Sequence, residues 1–160
     1  MANALADMGD EELLALDNQL CFLLYSSSRM MTALYRPLLD QLGLTYPQYL
    51  VLLVMWEYQG REGDRDKEVT IKMLGERLLL DTGTLTPLLK RMEQQGLLVR
   101  QRAVNDERKV LVSLTPRAQE LKAGAAEIPR ALLCHSSLGD EELIGIRDGL
   151  RLLLNELVSK

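Results

Sequence analysis

The hydrophobic rhythm of this chain changes abruptly after Gly96, and that change limits its fold more than any other feature. In "DTGTLTPLLKRMEQQG" the apolar residues Leu85, Leu88, Leu89 and Met92 fall at i, i+3, i+4 and i+7, the period of a helix with one buried face. Thr84 is the expected N-cap, with "DTG" (Asp81 to Gly83) as the turn before it. Pro87 then belongs in the first turn, where no N–H is needed, and Gly96 closes the helix. Directly behind it, "LLVRQR" and "RKVLVSL" switch to a period of two, with Val110, Val112 and Leu114 alternating. The polar "AVNDE" between them reads as the turn of a hairpin. Ahead of it, "TIKMLGERLLL" predicts a short helix with Ile71, Leu74 and Leu78 on one face. A helix-turn-helix followed at once by a hairpin predicts a winged helix.

The rest of the chain reads as helix. Leu13, Leu16, Leu20, Leu23 and Leu24 recur at helical steps from about Glu11 to Tyr35. "RPLLDQLG" predicts a second short helix, with Pro37 in its first turn and Gly43 at its C-cap. "LTYPQYLVLLVMWEYQG" opens on Thr45 as N-cap and ends at Gly60. "REGDRDKEV" is charge and glycine, a solvated loop. After the hairpin, "TPRAQELKAGAAEIPRALLCHSS" returns to helix with Thr115 and Pro116 as its cap and first residue, and a last helix is capped near Asp140. The predicted fold class is mainly α with a small β-hairpin wing. Residues 46–115 form the winged helix-turn-helix, and 11–45 with 116–160 form a helical dimerisation region. Leu13, Leu16 and Leu20 at one end, and Ile144, Leu150, Leu153, Leu154 and Leu157 at the other, leave apolar faces that a second copy would bury.

Composition excludes several classes. At 47% hydrophobic and 26% charged the chain is an ordinary folded one. Its start is acidic, with no basic segment before an apolar run, and "YLVLLVMW" is too short to span a bilayer. A cytoplasmic protein with no membrane partner is expected. Two cysteines and one histidine do not make a four-ligand zinc site, so no metal or cofactor is expected. Cys21 and Cys134 are either buried small hydrophobes or a redox pair.

The net charge of −4 carries no signal for nucleic acid, but local charge does. Thr84, Thr86, Lys90, Arg91 and Gln94 lie on the outer face of the second helix, where hydroxyls suit base edges and N–H groups suit phosphates. The hairpin adds Arg100, Arg102, Arg108 and Lys109. From Lys90 to Lys109 six basic residues face three acidic ones. One such residue alone is most simply a solvated charge. The ordered set predicts double-stranded DNA as partner.

These residues resemble a known family. "TYPQYLVLLVMWE", "LGERLLLDTGTLTPLLKRMEQQGLLVRQR" and "NDERKVLVSLT" look like the MarR family of winged-helix repressors. "LDNQLCFLLYSSSRMMTALYRPLLDQLGLTYPQY" is similar to its organic hydroperoxide resistance branch, of the two-cysteine type. The resemblance runs from about Asp17 to Leu133. It implies a homodimer on an inverted-repeat operator, released when an organic hydroperoxide oxidises a cysteine. By motif match Cys21 is the sensing cysteine, and Tyr35 and Tyr46 approach it from the partner subunit. Asp81, Gly83, Thr84, Thr86, Pro87, Lys90 and Arg91 match the turn and recognition helix, and Asp106 and Arg108 the wing tip. Cys134 would close an intersubunit disulfide with Cys21.

The chemistry sets its own conditions. A thiolate, not a thiol, attacks a peroxide. Cys21 reads as mid-helix, without a helix N-terminus or a cation within one turn, so phenol O–H groups are the remaining donors. Tyr25, one turn on, is a rival to Tyr35 and Tyr46. Met30 and Met31 read as core filler, and His135 as a solvated neighbour of Cys134. Two other functions remain open: a MarR-type repressor released by a small phenolic ligand, and a thiol peroxidase. The second lacks any CxxC motif or βαβ pattern, so no enzyme is expected.

Overall fold

The computed structural model describes residues 8–60, 68–134 and 137–159. A short helix α1 (Asp10–Leu14) and a 3-10 turn (Leu16–Asn18) precede the long helix α2 (Leu20–Gln41). Then come α3 (Tyr46–Gly60), β1 (Val69–Thr70), α4 (Ile71–Leu78), α5 (Thr82–Gln94), β2 (Leu98–Ala103), β3 (Asp106–Leu114), α6 (Pro116–Cys134) and α7 (Asp140–Val158). The chain divides into two compact units, 1–128 and 129–160, so α6 crosses the boundary at Pro129.

The predicted helix from Glu11 to Tyr35 is broken, for a local reason. The Asn18 side chain donates to the carbonyl of Glu12 at 2.8 Å, and Ala15 and Gln19 are extended. A side-chain amide thus takes an acceptor that a continuous helix would give to a backbone N–H. Downstream the error runs the other way, because Pro37 sits inside α2 instead of opening a second helix. Proline removes one helical hydrogen bond at a cost of about 3 kcal/mol. Burial of Leu39 and Leu44 just beyond it offsets that cost. Gly43 has φ +67, and Leu44 N–H donates back to Leu39, the left-handed stop expected there.

The core of the first unit is the predicted one. Leu74, Leu85, Leu89 and Met92 from the two helices of the motif meet Val51, Leu52 and Met55 of α3, all at 2% exposure or less. Between α4 and α5 the chain turns tightly. Leu80 N–H donates to the Gly75 carbonyl at 2.9 Å, and a Cβ on Gly75 would stand 2.9 Å from the Leu80 carbonyl oxygen. Leu79 takes the left-handed conformation at φ 56, which costs a non-glycine residue roughly 1 kcal/mol. The wing is a three-stranded antiparallel sheet of order β1-β3-β2, not a lone hairpin. Val69, the end of the stretch read as solvated loop, and Thr70, the start of the stretch read as a short helix, pair with Val112 and Leu111. Residues 61–67 of that loop lie outside the described residues.

In the second unit α7 starts at Asp140, and its N-cap lies one residue earlier. Gly139 is the N-cap and has no side chain to offer, so Glu142 reaches back to its N–H at 2.9 Å. None of the α7 residues is buried. Among the described residues no helix is long and apolar enough to cross a membrane.

Candidate DNA-binding surface and redox site

The recognition helix begins earlier than the sequence predicts. Asp81 is the N-cap of α5, accepting from Thr84 N–H at 2.9 Å and from the Thr84 hydroxyl at 2.7 Å. These bonds, the hydroxyl's first, hold the Asp81 carboxyl below the usual carboxylate range. A charged acceptor at a helix N-terminus outcompetes a hydroxyl for the cap. Thr84 is therefore inside the helix and Pro87 well beyond the first turn. Thr82, Gly83, Thr84, Thr86, Pro87, Lys90 and Arg91 all remain exposed, while Leu85, Leu88, Leu89 and Met92 are buried. One helix thus presents a polar face to solvent and an apolar face to the core.

The wing is fixed to that helix by one ion pair. Glu93 accepts from Arg100 N–H at 2.9 Å, from Nε at 3.0 Å and from Nη2 at 2.7 Å. This side-chain bonding keeps the Glu93 carboxyl below its ordinary range. Arg100, placed on the sequence among the DNA contacts, is held against Glu93 at the base of the wing. Arg102 and Arg108 are exposed beside the Val104–Asn105 turn. Asp106 shapes the tip by accepting from Arg108 N–H at 3.1 Å, with Lys109 Nζ 4.0 Å from its other oxygen.

Cys21 lies in the first turn of α2, not mid-helix, because the chain breaks at Gln19. Its thiol is free and exposed. First-turn N–H groups lack helical partners, so this cysteine sits beside a helix N-terminus and not in a helix interior. Fourteen residues along α2, Tyr35 packs edge-on against Tyr46, with ring centroids 5.0 Å apart. Tyr49, which the sequence reading passed over, completes a cluster at 6.0 Å from Tyr35 and 6.4 Å from Tyr46. Its signal was the i, i+3 spacing from Tyr46 on α3. Burial first, then the neighbouring phenols, push the Tyr35 and Tyr49 hydroxyls above their ordinary value, so both stay protonated donors. At 1.5 Å per residue, Cys21 and Tyr35 of one chain are about 21 Å apart along the helix. Tyr25 is exposed and carries the Arg29 guanidinium over its ring at 5.4 Å. Met30 and Met31 are exposed, at 72% and 50%, and fill no core of this chain. The Cys134 side chain lies outside the described residues, as does His135.

A helix-turn-helix with a basic three-stranded wing and a polar recognition face defines a winged-helix DNA-binding regulator. Residues 33–124 match the family described as transcriptional regulator SarA/Rot. The chain is 52% identical over 145 residues to the organic hydroperoxide resistance transcriptional regulator of Bacillus subtilis, covering 91% of this chain and 93% of that protein. The reduced, DNA-bound AbfR of Staphylococcus epidermidis is 34% identical, with TM-score 0.73 over 94% of this chain and 99% of that one. The disulfide form of AbfR is 35% identical, with TM-score 0.64 over 94% and 97%. The chain belongs to the MarR-type family of organic hydroperoxide resistance regulators, transcriptional regulators and not enzymes.

Proposed function

We propose that the chain acts as a homodimeric repressor that leaves an inverted-repeat operator when an organic hydroperoxide oxidises Cys21. One observation carries this reading: the exposed thiol lies in the first turn of α2, while the tyrosine cluster gathers at its second half, from Tyr35 of α2 and Tyr46 and Tyr49 of α3. No bending of one helix brings them together. An antiparallel pairing of α2 with a second copy does, setting each Cys21 against the other chain's Tyr35 and Tyr46. The exposed Leu20, Leu23 and Leu34 on α2, with Ile144, Leu150 and Leu154 on α7, supply apolar surface for that dimer. The division into a 46–115 DNA-reading region and an 11–45 plus 116–160 dimerisation region belongs to the same proposal.

The reaction balances in two steps. The Cys21 thiolate, stabilised by first-turn N–H groups and by phenol donors, attacks the terminal peroxide oxygen. The O–O bond breaks, the hydroxyl stays on sulfur, and the leaving alkoxide takes a proton. The partner subunit's Cys134 thiol then condenses with the sulfenic acid, forming the disulfide and releasing water. Closing that bond requires the two Cα atoms within about 7 Å, which constrains the helices that carry them. Paired recognition helices must stand about one DNA turn apart, so a shift in the dimer core releases the operator. Asp81, Gly83, Thr84, Thr86, Pro87, Lys90 and Arg91 serve the major groove and its phosphates, and Arg102, Asp106 and Arg108 the wing contact. Arg100 acts through Glu93.

The test is a gel shift on the DNA upstream of the chain's own gene, with and without cumene hydroperoxide, alongside non-reducing electrophoresis. Release of DNA together with a covalent dimer, lost in Cys134→Ser, is the expected result. Release by a phenolic ligand but not by peroxide contradicts the redox reading.

A further inference from the structure

A buried amide lies between two of the tyrosines. Gln48, flanked on α3 by Tyr46 and Tyr49, is 3% exposed, a polar side chain buried among apolar ones. Both ends of its amide are engaged. Its Oε1 accepts from Thr45 N–H at 2.9 Å, which fixes the start of α3 where Tyr46 sits. Its Nε2 donates to Gln95 Oε1 at 2.6 Å. Gln95 is the C-cap of the recognition helix α5. A second bond reaches the same residue, because Arg117 of α6 donates from Nη1 to the Gln95 carbonyl at 3.0 Å. Next to it, the Thr115 hydroxyl donates to the Gly96 carbonyl at 2.7 Å. The C-terminal end of α5 is therefore held from α3, the helix bearing Tyr46 and Tyr49, and from α6, the helix that ends at Cys134.

We propose that Gln48 and Gln95 form the junction through which the tyrosine pocket sets the position of the recognition helix. The inference rests on the peroxide-sensing reading above and adds the residues that carry its signal. Geometry supplies the reason. Leu97 N–H donates back to Met92 and Gly96 is left-handed at φ +68, so the stop of α5 is rigid. A pull on Gln95 moves the whole helix and does not fray its end. This part-buried hydrogen bond, from the buried Gln48 amide to the exposed Gln95, is directional, so a shift of Tyr46 that rotates the start of α3 must either drag Gln95 or leave the Gln48 amide without this partner. An unpaired buried amide is costly, so the helix follows. Both are positioning residues and touch neither peroxide nor DNA.

Gln95→Leu removes the acceptor, and Gln95→Glu keeps it. Operator dissociation constants of wild type and both variants are measured reduced and after stoichiometric cumene hydroperoxide, with the rate of Cys21 oxidation followed in parallel. In Gln95→Leu the oxidised-to-reduced ratio is expected to fall by about tenfold, within the usual range of coupling between sites, while Cys21 oxidises at the wild-type rate. Gln95→Glu is expected to restore the ratio. A merely structural role would weaken both states alike and leave the ratio unchanged, which overturns the junction while the sensing reading stands. If wild type itself keeps its DNA after oxidation, the sensing reading fails and the junction with it.

Discussion

The helix-turn-helix and wing of this chain close on themselves in one copy, whereas the face of α2 that carries Cys21 stays exposed. Around α4, α5 and the wing Leu74, Leu85, Leu88, Leu89, Met92 and Val112 are buried, and the helix cap and the Glu93–Arg100 pair close within the same chain. Around α2 the reverse holds: Cys21, Leu20, Leu23 and Met30 face solvent, and Tyr35, with Tyr46 and Tyr49 of α3 packed near it, lies toward the far end of the helix. A region that recognises a fixed external object can be finished by one chain. A switch that changes the spacing of two recognition helices has to be built where the two chains meet.

The largest expected effect separates the two regions by their response to truncation. Leu89→Ala empties a fully buried site and should cost about 3 kcal/mol in urea unfolding at any protein concentration. Leu154→Glu on exposed α7 should leave the folded chain intact but shift sedimentation from dimer to monomer and abolish tight operator binding. If Leu154→Glu stays dimeric, the incomplete face lies elsewhere.

The same contrast explains what was legible in the sequence. Periodicity located α4, α5 and the wing because local pattern and tertiary burial agree there, as at Leu85, Leu88, Leu89 and Met92. The errors fall where a side chain competes with the backbone or packing overrides propensity. Asn18 breaks a helix that the leucine spacing predicts, and Asp81 takes the cap from Thr84. Pro37 continues a helix that it should start. The break at Gln19 matters most, since it moves Cys21 from mid-helix to the first turn of α2. Strand β1 was hidden because two residues carry no period, and Tyr49 because its partners come from α2 and α3 together. The resemblance to the hydroperoxide branch, carried by the surroundings of Cys21, gave what no local pattern could: a reason to pair that thiol with tyrosines on another chain.

Within the complete region, Arg108→Ala should weaken operator binding and reduce its salt dependence by about one unit of log–log slope. Thr86→Ala should alter sequence preference and leave that slope unchanged. Equal salt slopes for wild type and Arg108→Ala would remove the wing from the interface.

A smaller effect comes from acid. Because the Arg100 bonds depress the folded Glu93 carboxyl, the clamp's contribution is fully present above the ordinary glutamate range and is lost as pH falls through the lower folded value. Glu93→Gln should flatten the acid limb of operator binding and weaken it several-fold at neutral pH. An acid limb unchanged by that substitution would show that other carboxylates govern it.

The claim that the sensor is completed by a second chain is tested most directly by subunit mixing. One copy carries Tyr35→Phe with Cys21 intact, and the other carries Cys21→Ser with Tyr35 intact. In the mixed dimer the single Cys21 then faces an unaltered Tyr35 only if the contact crosses between chains. Its oxidation by cumene hydroperoxide should proceed at the wild-type rate, while the Tyr35→Phe homodimer oxidises more slowly. A mixed dimer as slow as that homodimer would place Tyr35 against the thiol of its own chain and contradict the account.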